Sequence, residues 1–411
     1  MTGSGQIALA VAERLLDPAA VVSAVADAAS LTCGLAGTAL LHARLAAVDP
    51  VFADAAESHW RAAAARLKTR TGGFCGIQAG QGGLAASLIV GTTYLPDPEP
   101  LRDPTARAAA WLSACAVDIA DQHAARPRGT APPWHVYDAV TGLAGVGRAL
   151  LAARQSGLPG VEPGLHSSLT ALTAILTPRE GTRPGWHLPA DAHPHTVTVH
   201  PSGAATTGMA HGVAGPLALL STAHSSGCTV PGQLEAIRHA ADWLLRWQHD
   251  DGRWPPYVTG EELDNNTPPS TPGRGDAWCY GTPGIARALA LADQALDDRS
   301  LTNAATSALE SMTDRTAAEW DVAGPTLCHG HAGVAQSALA GTPLAEAAAT
   351  AVVDAFDPDT RFGFQHRDHG HVRDQPGLLT GAAGAALALA DHTGLPAPTR
   401  PISWDCLLNL S

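Results

Sequence analysis

The chain has 411 residues, 45% of them hydrophobic, and carries a net charge of -13 with only 15% charged residues. Such a surface offers no basic face to nucleic acid or anionic lipid, and no run approaches the roughly 20 uninterrupted apolar residues of a membrane span. The seven cysteines, Cys33, Cys75, Cys115, Cys228, Cys279, Cys328 and Cys406, are widely spaced without a C-x-x-C pair, which argues against a secreted disulfide framework. Glu13 and Arg14 interrupt the first apolar run and no basic start precedes it, so no signal peptide is expected and the chain reads as soluble, reduced and cytoplasmic.

Two short apolar periodic segments, Ile7 to Leu16 and Val21 to Ala29, open the chain and break near Asp17-Pro18, which predicts two helices. A repeat then begins. Gly-x-x-Gly recurs seven times, starting at Gly34, Gly80, Gly142, Gly212, Gly281, Gly330 and Gly381, at spacings of 46, 62, 70, 69, 49 and 51 residues. Each leads into an apolar helix of small residues, such as Val146 to Ala153 or Ala385 to Ala390. Between them lie longer amphipathic helices that carry charge, Phe52 to Lys68, Thr105 to Ala125, Gln233 to Gln248, Leu301 to Thr313 and Leu344 to Phe356. Alternation of these two kinds predicts an inner and an outer layer. Repeats of this length bury their apolar faces only by stacking on neighbours, and seven helical hairpins can close into a ring. The predicted fold is therefore all-α, an α/α toroid of one domain over residues 1–411, with every Gly-x-x-Gly turn at one end of the inner barrel. The stretch 157–207, rich in Pro, Gly, His and Thr, reads as an insertion between repeats three and four, with an apolar segment Leu169 to Leu176 and an extended candidate Thr196 to His200. Thr259 to Asp276, with its Asn265-Asn266-Thr267-Pro268-Pro269, reads as a loop over the mouth of the ring.

Polar groups able to do chemistry are unevenly placed around the seven turns. Asp138 stands four residues before its glycine in repeat three, His211 one before in repeat four, Cys279 two before in repeat five, and Cys328 and His329 immediately before Gly330 in repeat six. Consecutive repeats are neighbours in a closed ring, so these residues fall on one arc of the mouth near helix N-termini, where the dipole favours thiolate and carboxylate. Two thiolates and an imidazole form a three-ligand set for zinc with a fourth tetrahedral position left for water or substrate. Each residue also has a plainer alternative. Asp138 could serve only as a cap and His211 could bond a carbonyl, while Cys33, Cys75, Cys115, Cys228 and Cys406 read as small buried hydrophobes. The cluster His366, His369 and His371 reads as part of a solvated loop rather than a second metal site.

Trp278-Cys279-Tyr280-Gly281-Thr282-Pro283-Gly284, Cys328-His329-Gly330, Ala210-His211-Gly212-Val213-Ala214-Gly215 and Tyr137-Asp138-Ala139-Val140-Thr141-Gly142-Leu143-Ala144-Gly145 resemble the defining motifs of the lanthionine synthetase C-like (LanC) cyclases. The match spreads over about the last three quarters of the chain. The resemblance implies an α/α toroid of seven inner and seven outer helices with one zinc, held by Cys279, Cys328 and His329. It also implies a cytoplasmic lanthipeptide cyclase, peripheral to a membrane-associated biosynthetic complex, that adds cysteine thiols of a dehydrated precursor peptide to dehydroalanine or dehydrobutyrine. A dehydratase and a transporter of the same pathway would be its partners. His211 and Asp138 would be the acid/base groups. An arginine upstream of the zinc cysteine accompanies the family's site, which places Arg274 as an enolate stabiliser, and Tyr280, beside Cys279, is counted with the catalytic residues.

The chemistry agrees with the residues. A free thiol of pKa about 8.5 is mostly protonated at neutral pH, whereas a zinc-bound thiol is deprotonated. Attack on the alkene then leaves an enolate whose carbon needs a proton, a role for His211 worth roughly 10² to 10⁴ in rate. Other toroid enzymes fit less well. A prenyl-chain cyclase would want Asp-rich motifs or an aromatic-lined barrel, yet aromatic residues are 5% of the chain, and a glycosidase needs two carboxylates facing across the site. A LanC-like protein that adds glutathione, or acts only as a scaffold, is the nearer alternative.

Overall fold

A computed structural model of the chain describes residues 3–67, 76–127, 130–193, 199–270, 275–368, 370–399 and 402–411. Seven helices follow the Gly-x-x-Gly turns: α3 (Leu35–Leu45), α5 (Gly80–Gly91), α8 (Leu143–Gln155), α10 (Ala214–Ser225), α13 (Thr282–Leu296), α15 (His331–Ser337) and α17 (Ala382–His392). Each packs on the next, and α17 returns to α3, so the inner ring is closed. These helices are mostly apolar and bury nearly every side. All eleven residues of α3 are buried, as is Ala382 through Ala390 of α17. Fully burying a leucine such as Leu40 or Leu41 is worth roughly 1.5–3 kcal/mol, and the alanines between them let helix axes approach closely.

The outer layer is α1 (Gly3–Arg14), α4 (Val51–Leu67), α6 (Arg102–Ala124), α9 (Glu162–Leu176), α11 (Gln233–Arg246), α14 (Arg299–Thr313) and α16 (Pro343–Asp354). Their polar faces look outward. In α11 the buried Ala236, Ile237, Ala240, Ala241 and Leu244 recur at helical spacing, as an amphipathic helix on a core requires. Each of α4 to α16 packs on the inner helix before it, whereas α1 packs on α17. The first helix of the chain is thus the outer partner of the last inner one. Short helices α2 (Pro18–Ala24), α7 (Trp134–Tyr137) and α12 (Gly260–Asn265) complete the α-helices among the described residues.

Two stretches differ from their sequence reading. The segment 157–207 opens with α9, which takes the outer position of repeat three against α6 and α8. Its run of Leu165, Leu169, Leu172 and Leu176 buries one full helical face, a periodicity hidden by the surrounding Pro and Gly. Only the remainder is irregular, with β1 (His187–Leu188) and β2 (Ala204–Thr206) pairing antiparallel beside β3 (Tyr257–Thr259). Most of the extended candidate at 196–200 lies outside the described residues. The expected loop from Thr259 contains α12, started by a capping box in which Thr259 Oγ1 accepts from Glu262 N at 3.2 Å and Glu262 Oε2 from Thr259 N at 2.8 Å.

The turns are tied to one another as well as to their helices. Thr32 N donates to Gln78 O, Ala139 N to Ala210 O, Ala210 N to Cys279 O, Cys279 N to Cys328 O, Cys328 N to Leu379 O and Leu379 N to Thr32 O, all at 2.9–3.1 Å. This belt demands close approach. A Cβ on Gly333 would lie 2.1 Å from Leu327 O, and Gly281, at φ 127°, passes so near Gly275 that a Cβ would meet its carbonyl oxygen at 1.5 Å. Glycine is the residue that fits both. At the chain's other extremity, residues 402–411 bond or pack against α5, α8, α10, α13 and α15 together, contacts available only to a segment inside the ring.

Candidate active site

The belt brings the turns before α13 and α15 side by side, so residues 49 apart in sequence meet at the mouth. The ligand atoms of Cys279, Cys328 and His329 lie within 4.8 Å of one another, the only such group of three or more potential ligands among the described residues. Cys279 is buried and the other two are half-buried. The cluster gathers negative charge onto one sulfur. The Cys279 thiol is drawn down to about 5, first by its hydrogen bond with Cys328 and then by His329, while Cys328 is pushed up because Cys279 holds its proton in place. His329 is raised by the same thiolate. A dication entering such a set replaces protons, so its binding strengthens as pH rises.

Orientation of His329 comes from the hairpin β4 (His366–Asp368) and β5 (His371–Arg373). His329 Nε2 lies 3.1 Å from Arg367 O. The carbonyl can only accept, so Nε2 carries the hydrogen and Nδ1 is left to ligate, the arrangement usual for metal-bound histidine. His366, expected in a solvated loop, is instead 5% exposed. Its ring stands 5.0 Å from that of His329 and its Nδ1 lies 3.0 Å from Thr326 Oγ1; burial and the neighbouring His329 hold its pKa down at about 4. The correction arises because the hairpin folds back over the mouth, which polar composition alone does not reveal. His371 is exposed on β5, and His369 lies outside the described residues, as do Arg274 and Cys75.

On the next two turns along stand His211 and Asp138. His211 Nδ1 lies 2.6 Å from Asp138 Oδ2, leaving Nε2 as the ring nitrogen free for chemistry, with the side chain 27% exposed. Asp138 is fully buried and makes two kinds of contact. Its Oδ1 accepts from Val140 N, Thr141 N and Gly142 N at 3.1, 2.6 and 2.8 Å, closing the turn into α8, while Oδ2 faces the imidazole. The His211 carbonyl accepts from Thr206 Oγ1 at 2.8 Å and Tyr137 Oη at 3.3 Å. Tyr280 stands between the two groups, its ring 6.3 Å from that of His211. Burial, then the Cys279 thiolate, raises its hydroxyl well above the ordinary range, so it stays protonated and able to donate.

A family model described as "Lanthionine synthetase C-like protein" matches residues 26–395. The chain belongs to this family. Among curated proteins, this LanC-like chain is 27% identical over 140 residues to "Nisin biosynthesis protein NisC" of Lactococcus lactis subsp. lactis, an alignment covering 33% of each chain; the matched stretch thus spans about a third of that relative's length. Among solved structures it is similar to "Nisin cyclase" at a TM-score of 0.75 and 18% identity, covering 99% of this chain and 96% of that one. At that identity the likeness speaks for the fold, the same toroid.

Sequence reasoning missed three supports of this LanC-like site. Asp276, fully buried, takes the Arg315 guanidinium on both oxygens at 2.6 and 2.8 Å and accepts from Asp321 N at 2.8 Å, which braces the segment entering Cys279. Trp278 donates its indole N–H to Leu408 O at 2.9 Å, which fixes the same segment from inside the ring. Trp134 stacks on His211. Only Trp134 left a sequence signal, its place four residues before Asp138 at helical spacing.

Proposed function

We propose that this protein is a zinc-dependent lanthipeptide cyclase, adding cysteine thiols of a dehydrated peptide to dehydroalanine or dehydrobutyrine to form thioether rings. One observation carries the reading: Cys279, Cys328 and His329 put three ligand atoms within 4.8 Å one turn away from a buried carboxylate and imidazole pair. The donor set fits zinc, for two sulfurs and a nitrogen suit a borderline-soft tetrahedral ion and leave one position open. Zinc bound there would keep a substrate thiol deprotonated at neutral pH.

This chain's own residues do the rest. Asp138 holds hydrogen on Nδ1 of His211 and so leaves Nε2 as the nitrogen available at the mouth. Addition forms a carbon–sulfur bond at the β-carbon and leaves the electron pair at the α-carbon, conjugated with the peptide carbonyl. His211 delivers a proton to that α-carbon, and the proton released from the thiol restores it; atoms balance and the mass of the peptide is unchanged. Tyr280, held protonated between the two groups, can donate to the enolate oxygen as its charge develops. Arg274 is proposed for the same charge on sequence grounds. The whole chain acts as one domain, and a dehydratase, with a transporter, would supply and remove the peptide. No helix among the described residues is long and apolar enough to cross a membrane.

The test is direct. Purified protein incubated with a peptide carrying one dehydroalanine and one cysteine should consume the alkylatable thiol without any change in mass, in a reaction that needs both zinc and His211. Persistence of the thiol with every such peptide, alongside addition of glutathione to the dehydroalanine, would replace the cyclase reading by the alternative one.

A further inference from the structure

A single hydrogen bond does not fix an imidazole. The Asp138 contact at Nδ1 sets the tautomer and one point of the ring, but by itself leaves the tilt of the ring, and with it the direction of Nε2, unfixed. The indole of Trp134 removes that freedom. Its ring lies 4.5 Å from that of His211 with 10° between the planes, a near-parallel stack within the distance range of favourable aromatic contacts. Behind it, His193, 5% exposed, meets the indole edge-on at 5.8 Å and 87°. The sequence makes this geometry local. Pro133, extended at ψ 161°, starts α7, and Trp134 lies four residues before Asp138, so one short turn carries both the group that holds the imidazole in its plane and the group that covers its face.

We propose that Trp134 is a positioning residue for His211, holding the imidazole plane so that Nε2 stays aimed at the α-carbon of the substrate. The proposal rests on the reading of His211 as the proton donor. Trp134 acts through His211, and its effect belongs to the chemical step rather than to peptide binding.

Three variants separate this role from simple packing. Trp134→Phe keeps an aromatic face, Trp134→Leu removes it, and His211→Asn removes the group acted upon. With a peptide bearing one dehydroalanine and one cysteine, Trp134→Leu should lower kcat roughly ten- to a hundredfold with KM, zinc content and melting temperature close to the parent. Trp134→Phe should recover most of the loss. In protein with ¹³C-labelled histidine, the carbon-bound ring protons of His211, assigned by their disappearance in His211→Asn, should lie upfield from the indole ring current and move downfield in Trp134→Leu. A parental kcat in Trp134→Leu, a rise in KM alone, or equal losses in the Phe and Leu variants would overturn the proposal. If Trp134→Leu does not fold, His193→Ala, which releases the indole from behind, should show a smaller fall in kcat and a smaller shift of the same signals, and no change in either would overturn it. A fully active His211→Asn would instead sink the proton-donor reading, while the ring-current shift would still report the stack.

Discussion

The two halves of the mouth share one backbone and differ in what they present. Before α10, α13 and α15 the turns carry Ala210-His211, Cys279-Tyr280 and Cys328-His329; before α3, α5 and α17 the same places hold Thr32-Cys33, Gln78-Ala79 and Leu379-Thr380. The belt of backbone hydrogen bonds runs through both sets. In the second half the polar side chains tie one turn to the next, as where Thr32 Oγ1 lies 3.1 Å from both Gln78 O and Gln78 Oε1 as donor. Two cysteines make the contrast sharpest. Cys33, with Ser30 Oγ 3.1 Å away, has its thiol pushed up by burial, whereas Cys279 is drawn down by Cys328 and His329. Position in the ring is supplied by the fold; reactivity comes from which side chains fill adjoining positions.

The largest effect should come from removing one of the paired thiols. Cys279→Ala or Cys328→Ala should lose most of the zinc, which elemental analysis of the parent should find near one per chain, and with it the thioether-forming activity. Full zinc retention in both would erase the contrast between the halves.

Next in size is the acid pair. His211→Asn and Asp138→Asn should slow cyclisation by roughly two to four decades with zinc retained. Asp138 also closes the turn into α8, so Asp138→Ala should in addition cost about 1 kcal/mol of stability in urea unfolding, a loss His211→Asn should not share. Normal turnover in the two Asn variants would return both residues to a purely structural role.

A smaller effect should follow pH on the side of the ring away from the site. His42, fully buried in α3, is held down at about 3, mainly by burial, against an ordinary 6.5. Between those values the unfolded chain binds the extra proton and the folded one does not, so stability is complete above about 6.5 and declines as pH falls toward 3. Urea midpoints should therefore drop between pH 7 and pH 5, and His42→Asn, whatever its absolute stability, should flatten that dependence. An unchanged slope would show that His42 does not carry it.

The smallest effect should be at Cys33. Cys33→Ser should keep full zinc content and a cyclisation rate within about twofold of the parent, as expected for a partly exposed substitution outside the site. In zinc-free protein at pH 7, Cys33 should react with iodoacetamide more slowly than Cys279, read by peptide mass mapping. Loss of zinc or rate in Cys33→Ser would show that the second half of the mouth also works.

Much of this was legible without coordinates. Gly-x-x-Gly recurs because six of the seven inner helices start by crossing their own incoming segment at a distance no Cβ tolerates, with Gly83 of the other at a tight 3.1 Å, so the fold leaves marks that can be counted. Cys279 and Cys328 share a register two residues before those glycines, and shared register in neighbouring repeats is shared position in space. The α9 helix was obscured for the opposite reason: its leucines bury a regular face, but Pro, Gly and His on either side give the segment the composition of a loop.

What the sequence determined by itself is therefore the repeat, the two helix types and the arc of candidate ligand and acid residues, all written in local spacing. Only the tertiary structure decided the rest. That α1 pairs with α17, that residues 402–411 lie inside the ring and steady Trp278, that the hairpin holding His366 orients His329, and that Trp134 covers His211 are contacts between segments with no common period. Their formation depends on which surfaces remain uncovered once the ring has closed, and that is a property of the assembled shape.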